Sequence, residues 1–156
     1  GAYPFDAEIF YFLFEKADAH LINDMYMNVM EFQDLKAYGA AIDNIHLHGD
    51  VGFAKIPFDC PDALIAIISD FILSLDVVTV SVVYSMRTDG IKFSVRSELD
   101  DVDAGRVANC SLEGIGNGGG HKGMAGGFIH ESKYALLGEH MDAEIERRFL
   151  QAIKNQ

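Results

Sequence analysis

Residues 114–127 read GIGNGGGHKGMAGG, which gathers eight of the chain's 15 glycines around one histidine and one lysine. Glycine at that density serves backbone access. A residue without Cβ reaches φ > 0 freely and lets a ligand approach the main chain, so successive N–H groups can converge on an anion such as phosphate. A Walker loop needs Gly, four residues, then Gly-Lys-Ser/Thr. Here Gly116 is followed five residues on by His121, Lys122 and Gly123, so the motif is a different one. A flexible linker would pair glycine with serine and separate modules. This segment instead lies between a periodic stretch, residues 102–112, and the apolar pair Phe128-Ile129.

A chain of 156 residues with 49% hydrophobic content is about one domain and long enough to bury a core. Its 24 acidic against 12 basic residues give a formal charge of −12, which repels polyanions and argues against a broad nucleic-acid footprint. A small phosphorylated ligand stays compatible, because a nest of amides with Arg96, His121 and Lys122 can be locally positive. Cys60 and Cys110 make no disulfide framework and read as two buried, reduced thiols. No charged-then-apolar leader opens the sequence, and the apolar runs at residues 9–14 and 63–68 are too short to span a bilayer. A cytoplasmic protein with no membrane partner is therefore expected. The opening Gly1-Ala2-Tyr3, without methionine, reads as an excised fragment.

Helical periodicity comes first along the chain: Ile9, Phe10, Leu13 and Phe14, then Leu21, Ile22, Met25 and Val29, each set on one helical face. Met25, Met27 and Met30, with Tyr11, read as helix packing rather than a ligand box. Residues 35–47 look strand-like, His48-Gly49-Asp50 is a turn, and residues 51–56 return as the partner strand. Pro61 opens a helix reaching about residue 75, with Leu64, Ile67, Ile68, Phe71 and Ile72 on its apolar side. Residues 77–86 and 91–97 form a hairpin of central strands. A helix over 100–112 follows, with Asp100, Asp101 and Asp103 as capping and dipole-matching residues. The glycine loop leads into a strand near 127–129, and a terminal helix spans about 133–153. The sum is an α+β fold, a mixed sheet with helices packed mainly on one face, in a single domain without internal repeats.

His46 and His48 share one face of a strand, a spacing that zinc sites sometimes use. No third ligand of fitting spacing is evident, so a polar strand face explains them better and no metal site is assigned. Arg96, at a strand end, reads on its own as an ion-pair partner of Glu98.

The order of Gly90-Ile91-Lys92-Phe93-Ser94-Val95-Arg96-Ser97, a short acidic stretch, a helix, then Gly118-Gly119-Gly120-His121-Lys122 and Ala125-Gly126-Gly127 resembles the DHH-associated domain. That domain is the C-terminal half of DHH-family phosphoesterases, among them nano-RNases, pAp phosphatases, cyclic-dinucleotide phosphodiesterases and RecJ-type exonucleases. The resemblance is good over residues 37–128 and loose elsewhere. Asn117 stands where a fourth glycine is common, and asparagine tolerates φ > 0 better than most residues.

The resemblance implies a division at residue 36: residues 1–36 as a helical linker from a missing N-terminal catalytic DHH domain, and residues 37–156 as a substrate-binding domain. It implies that Arg96, Ser97, Gly118, Gly119, Gly120, His121 and Lys122 hold a phosphate, with Arg96 as a bidentate fork, the glycines as amide donors and His121 as a donor or stacking face. It places a divalent metal, Mn or Mg, on the missing domain and assigns no catalytic residue or cofactor to this chain. The implied partners are a short oligonucleotide or nucleoside phosphate and the DHH domain of the same parent, and a homodimer is admitted. The alternative function is an RNA or single-stranded nucleic-acid-binding module without hydrolysis, since related domains accompany alanyl-tRNA synthetases. A third is a regulatory or oligomerisation domain in which the glycine loop is structural.

Overall fold

Ala37 and Ala41, one helical turn apart, are both buried in α1 (Phe32–Asp43), where the sequence reads as a strand. The alternation there is incomplete, and alanine pairs at i and i+4 let a helix sit close against its neighbours. The structure, a computed structural model, describes residues 31–156, so the helices expected over residues 9–29, with Tyr11, Met25, Met27 and Met30, lie outside the described residues. Residues Lys36–Gln156 make one compact unit.

After α1 come β1 (His46–His48) and β2 (Val51–Ile56), an antiparallel pair joined at the expected turn, where Gly49 takes φ 61°. Pro61, with φ fixed near its helical value, precedes α2 (Asp62–Leu73). This helix buries Leu64, Ile65, Ile68 and Ile72 but leaves Ile67 and Phe71 nearly half exposed, which corrects the apolar side read from the sequence. β3 (Val80–Met86) and β4 (Gly90–Ser97) form the expected hairpin. α3 (Ala104–Ser111) is capped by Asp103, whose side chain accepts from the Arg106 N–H.

The glycine segment is itself a hairpin, β5 (Asn117–Gly120) and β6 (Met124–His130), rather than a loop. The terminal helix is two elements, a 3₁₀ helix (Glu131–Leu137) and α4 (Met141–Lys154), parted by Gly138 at φ 76°.

The six strands lie in the order β1-β2-β3-β4-β6-β5, with only β2 and β3 parallel. The fold is therefore α+β with a mixed sheet. Successive side chains of β3 and β4 point to opposite faces. Val82, Tyr84, Phe93 and Val95 enter a core shared with Val107 of α3, Leu112 just after it and Phe149 of α4, whereas Val83 enters a second core with Ile65, Ile68 and Ile72 of α2 and the α1 alanines. Helices thus cover both faces, not mainly one. The reason is β3, whose residues are buried on both sides nearly end to end. Cys60 is buried as expected, but Cys110 is exposed. Among the described residues no helix is long and apolar enough to cross a membrane.

Candidate functional site

The row of β4 on the α2 side of the sheet is polar. Lys92, Ser94 and Arg96 alternate with the core residues Ile91, Phe93 and Val95. α2 contacts β3 and β4, and beyond it a cleft of about 270 Å³ lies over β4, β6 and β5.

Register explains why a cleft forms there. Arg96 faces Met124, while Ser94 faces Gly126, which in turn faces Gly119. A strand row that ends in two glycines has no side chains to fill it, so a trough runs across the sheet between the flanking rows. A Cβ built on Gly119 meets nothing within 4 Å, which measures how open that floor is.

Of the residues singled out from the sequence, the fold brings Arg96, Gly119, Gly120 and His121 to this cleft. Ser97, Gly118 and Lys122 do not line it. Ser97 Oγ accepts from the Leu99 N–H at 3.2 Å and closes a turn. Lys122 Nζ lies 3.8 Å from Asp100 in solvent. Gly118 packs so closely under α3 that a Cβ there would sit 2.3 Å from the Ala108 carbonyl oxygen.

The expected nest of amides is also absent among the described residues. The His121 N–H donates to the Met124 carbonyl (2.8 Å), closing the hairpin, and the carbonyls of His121 and Lys122 accept from the Gly105 (3.0 Å) and Ala104 (2.8 Å) N–H groups. The turn between β5 and β6 therefore caps α3 with its oxygens. The Gly118 carbonyl accepts from Asn109 Nδ2 at 3.2 Å on the outer edge of β5, and antiparallel alternation places the Gly120 amide on that same edge.

Arg96 is paired, but with Asp70 of α2 rather than Glu98: Nε donates to Asp70 Oδ1 at 2.8 Å, and Nη1 donates to Ser94 Oγ and the Val95 carbonyl, both at 3.1 Å. Nη2 makes no hydrogen bond among the described residues, so the guanidinium offers one free corner to the cleft instead of a whole fork. Its side chain is only 8% exposed, and the three hydrogen bonds of Nε and Nη1 hold the guanidinium in place. Lys92, which the sequence reading passed over, lines the same cleft, and its Nζ lies 3.9 Å from Asp62. The signal was available in the alternation Lys92, Ser94, Arg96. Nothing in the sequence pointed to Asp70, which reaches Arg96 across 26 residues.

A second cluster corrects the reading of the strand histidines. Glu146 of α4 supplies the third group: its two carboxylate oxygens lie 2.6 Å from His46 Nε2 and 3.0 Å from His48 Nε2. Beside it, Tyr84 donates to Asp142 Oδ1 at 2.9 Å and Lys55 Nζ lies 3.0 Å from Asp142 Oδ2. Burial, then the Asp142 charge, pushes the Tyr84 phenol well above its ordinary pKa.

The family model described as the DHHA1 domain matches residues 48–153. No curated protein matches the chain in sequence. Among solved structures, an exopolyphosphatase-related protein from Bacteroides fragilis is similar at 21% identity and TM-score 0.67, over 96% of this chain and 44% of that one. The C-Ala domain of alanyl-tRNA synthetase from Aquifex aeolicus is similar at 17% identity and TM-score 0.53, over 70% of this chain and 97% of that one. An exonuclease RecJ bound to manganese is similar at 20% identity and TM-score 0.50, over 84% of this chain and 30% of that one. At such identities the likeness is one of fold. The chain spans less than half the length of the Bacteroides fragilis protein.

Proposed function

The chain belongs to the DHHA1 domain family, and we propose that it is the substrate-binding domain of a metal-dependent phosphoesterase acting on short oligonucleotides or nucleoside phosphates. The observation that carries this reading is the glycine-floored cleft, where the free corner of Arg96, the Lys92 ammonium and the His121 ring border a space large enough for a phosphate with its sugar. Lys92 and Arg96 donate to phosphate oxygens, and Gly119 and Gly126 leave room for them. Asp62 and Asp70 already pair with those cations, so an arriving phosphate competes with two carboxylates. Such a site rejects weakly charged ligands and, in a chain of net charge −12, long polyanions.

On this reading a DHH domain of the same parent supplies divalent ions, manganese or magnesium, that activate water. The cleft itself does not fit such ions: among the described residues the only cluster of histidine and carboxylate groups suited to a cation is His46, His48 and Glu146, at the opposite edge and on the other face of the sheet. This chain's part is therefore to hold and orient the phosphate. A cytoplasmic location goes with the reading, and a homodimer is compatible with it.

The test is calorimetric titration of the 156-residue chain with a dinucleotide bearing a terminal phosphate, alongside Lys92→Ala, His121→Ala and Gly119→Val. We expect saturable binding of one equivalent, weakened about 10-fold by loss of one charged hydrogen bond in Lys92→Ala and further by the filled floor in Gly119→Val. Arg96→Ala is the poorer probe, because that side chain is buried and bonded to Ser94 and the Val95 carbonyl, so its loss also disturbs packing. Binding untouched by all three variants would sink the assignment. Preference for a long single strand, fading steeply with salt, would favour the non-hydrolytic nucleic-acid module instead.

A further inference from the structure

The cluster of His46, His48 and Glu146 lies apart from the phosphate cleft and gathers three groups that could hold a metal ion. His46 and His48 project from one face of β1, two residues apart. Phe53, fully buried, supports both rings, stacking with His46 at 29° and meeting His48 edge-on at 82°. That apolar floor fixes the two imidazole planes, so their Nε2 atoms converge on one point. Glu146 reaches the same point from α4, with a side chain only 12% exposed, while the imidazoles are 53% and 45% exposed. The ligand atoms all lie within 4.8 Å of one another. Bonds of about 2.1 Å in a tetrahedron put donors roughly 3.4 Å apart, so an ion enters with side-chain shifts of an ångström or less.

We propose that His46 Nε2, His48 Nε2 and the Glu146 carboxylate bind one zinc ion, with a water on the exposed side completing a tetrahedron. Two imidazoles and one carboxylate are borderline donors that suit zinc, whereas magnesium and calcium favour oxygen-only sets. Glu146 is the carboxylate available to the ion, because Asp142, one turn away on the same helix, is engaged by Tyr84 and Lys55. Binding takes neutral imidazoles with the proton on Nδ1, and the zinc replaces two imidazole contacts that the carboxylate now makes. The ion ties the edge strand β1 to the C-terminal helix α4, joining residues 98 positions apart.

The site is tested on the whole 156-residue chain, stripped with chelator and titrated with zinc chloride against a chromophoric competitor. One equivalent should bind, and His46→Asn, His48→Asn and Glu146→Gln should each weaken it about 100-fold or more, since loss of even an outer-sphere partner typically costs 10- to 100-fold. His140→Asn, at an exposed histidine outside the cluster, should bind as the parent does. Two readouts need no variant: zinc should raise the melting temperature of the parent chain, increasingly with the logarithm of free zinc, and cobalt(II) in its place should give the intense visible absorption of a tetrahedral centre. Failure of the parent to take up an equivalent, a six-coordinate cobalt spectrum, or uptake unchanged in all three variants would overturn the assignment.

Discussion

At Tyr84 a phenol that is 2% exposed donates its proton to Asp142 Oδ1, and both burial and the carboxylate hold it neutral. In the unfolded chain the same phenol ionises near pH 10. Because the folded pKa is the higher one, the contribution of this group is fully present below about pH 10 and is lost as the pH rises, at about 1.4 kcal/mol per unit. Tyr84→Phe removes one hydrogen bond, at a cost of about 1 kcal/mol at pH 7. We expect the stability gap between the parent and Tyr84→Phe, measured by urea unfolding, to narrow steadily above pH 10; a constant gap would show a phenol exposed to solvent. Arg96 is the other residue whose setting decides its role. Its position at a strand end was legible in the sequence, but its partner was not, because the choice between Glu98 and Asp70 depends on which helix lies over β4.

At the scale of elements, Gly118 and Gly119 are neighbours in one strand with opposite duties. A Cβ on Gly118 would meet the Ala108 carbonyl oxygen at 2.3 Å, whereas one on Gly119 opens into the cleft. Gly118→Ala must push α3 off β5, and we expect a loss of about 1–3 kcal/mol. Gly119→Ala should be neutral or stabilising by up to about 1 kcal/mol, since alanine loses less backbone entropy on ordering. Thermal melts of the two variants side by side test this, and equal effects would contradict the packing of α3 on the hairpin. Glycine density marked this segment as special without distinguishing a loop from a strand. Packing under α3 and pairing with β6 make it a strand. The same limit applies to residues 35–47, where alternation suggested a strand and burial of Ala37 and Ala41 on a helical face decided otherwise.

At the scale of the molecule, two cores lie back to back across one sheet, and β3 serves both. Ile68 and Phe149, each fully buried, stand in different cores. Truncation to alanine should cost about 2–5 kcal/mol at Ile68 and 3–5 at Phe149. We expect each variant to unfold in one cooperative transition, because neither core can be lost without uncovering β3; two separated transitions in calorimetry would show that the faces unfold independently. The sequence by itself determined the class of fold, the central hairpin with its β-branched residues, the proline-led helix, the Asp103 cap and the family, since each is written in neighbours a few positions apart. Tertiary structure alone decided that helices cover both faces, that Asp70 holds Arg96, that Lys92 joins the cleft, and that Glu146 meets His46 and His48. The physical reason is common to all four. Each depends on contacts between segments distant in the chain, fixed by strand order and register, and local periodicity carries no record of those.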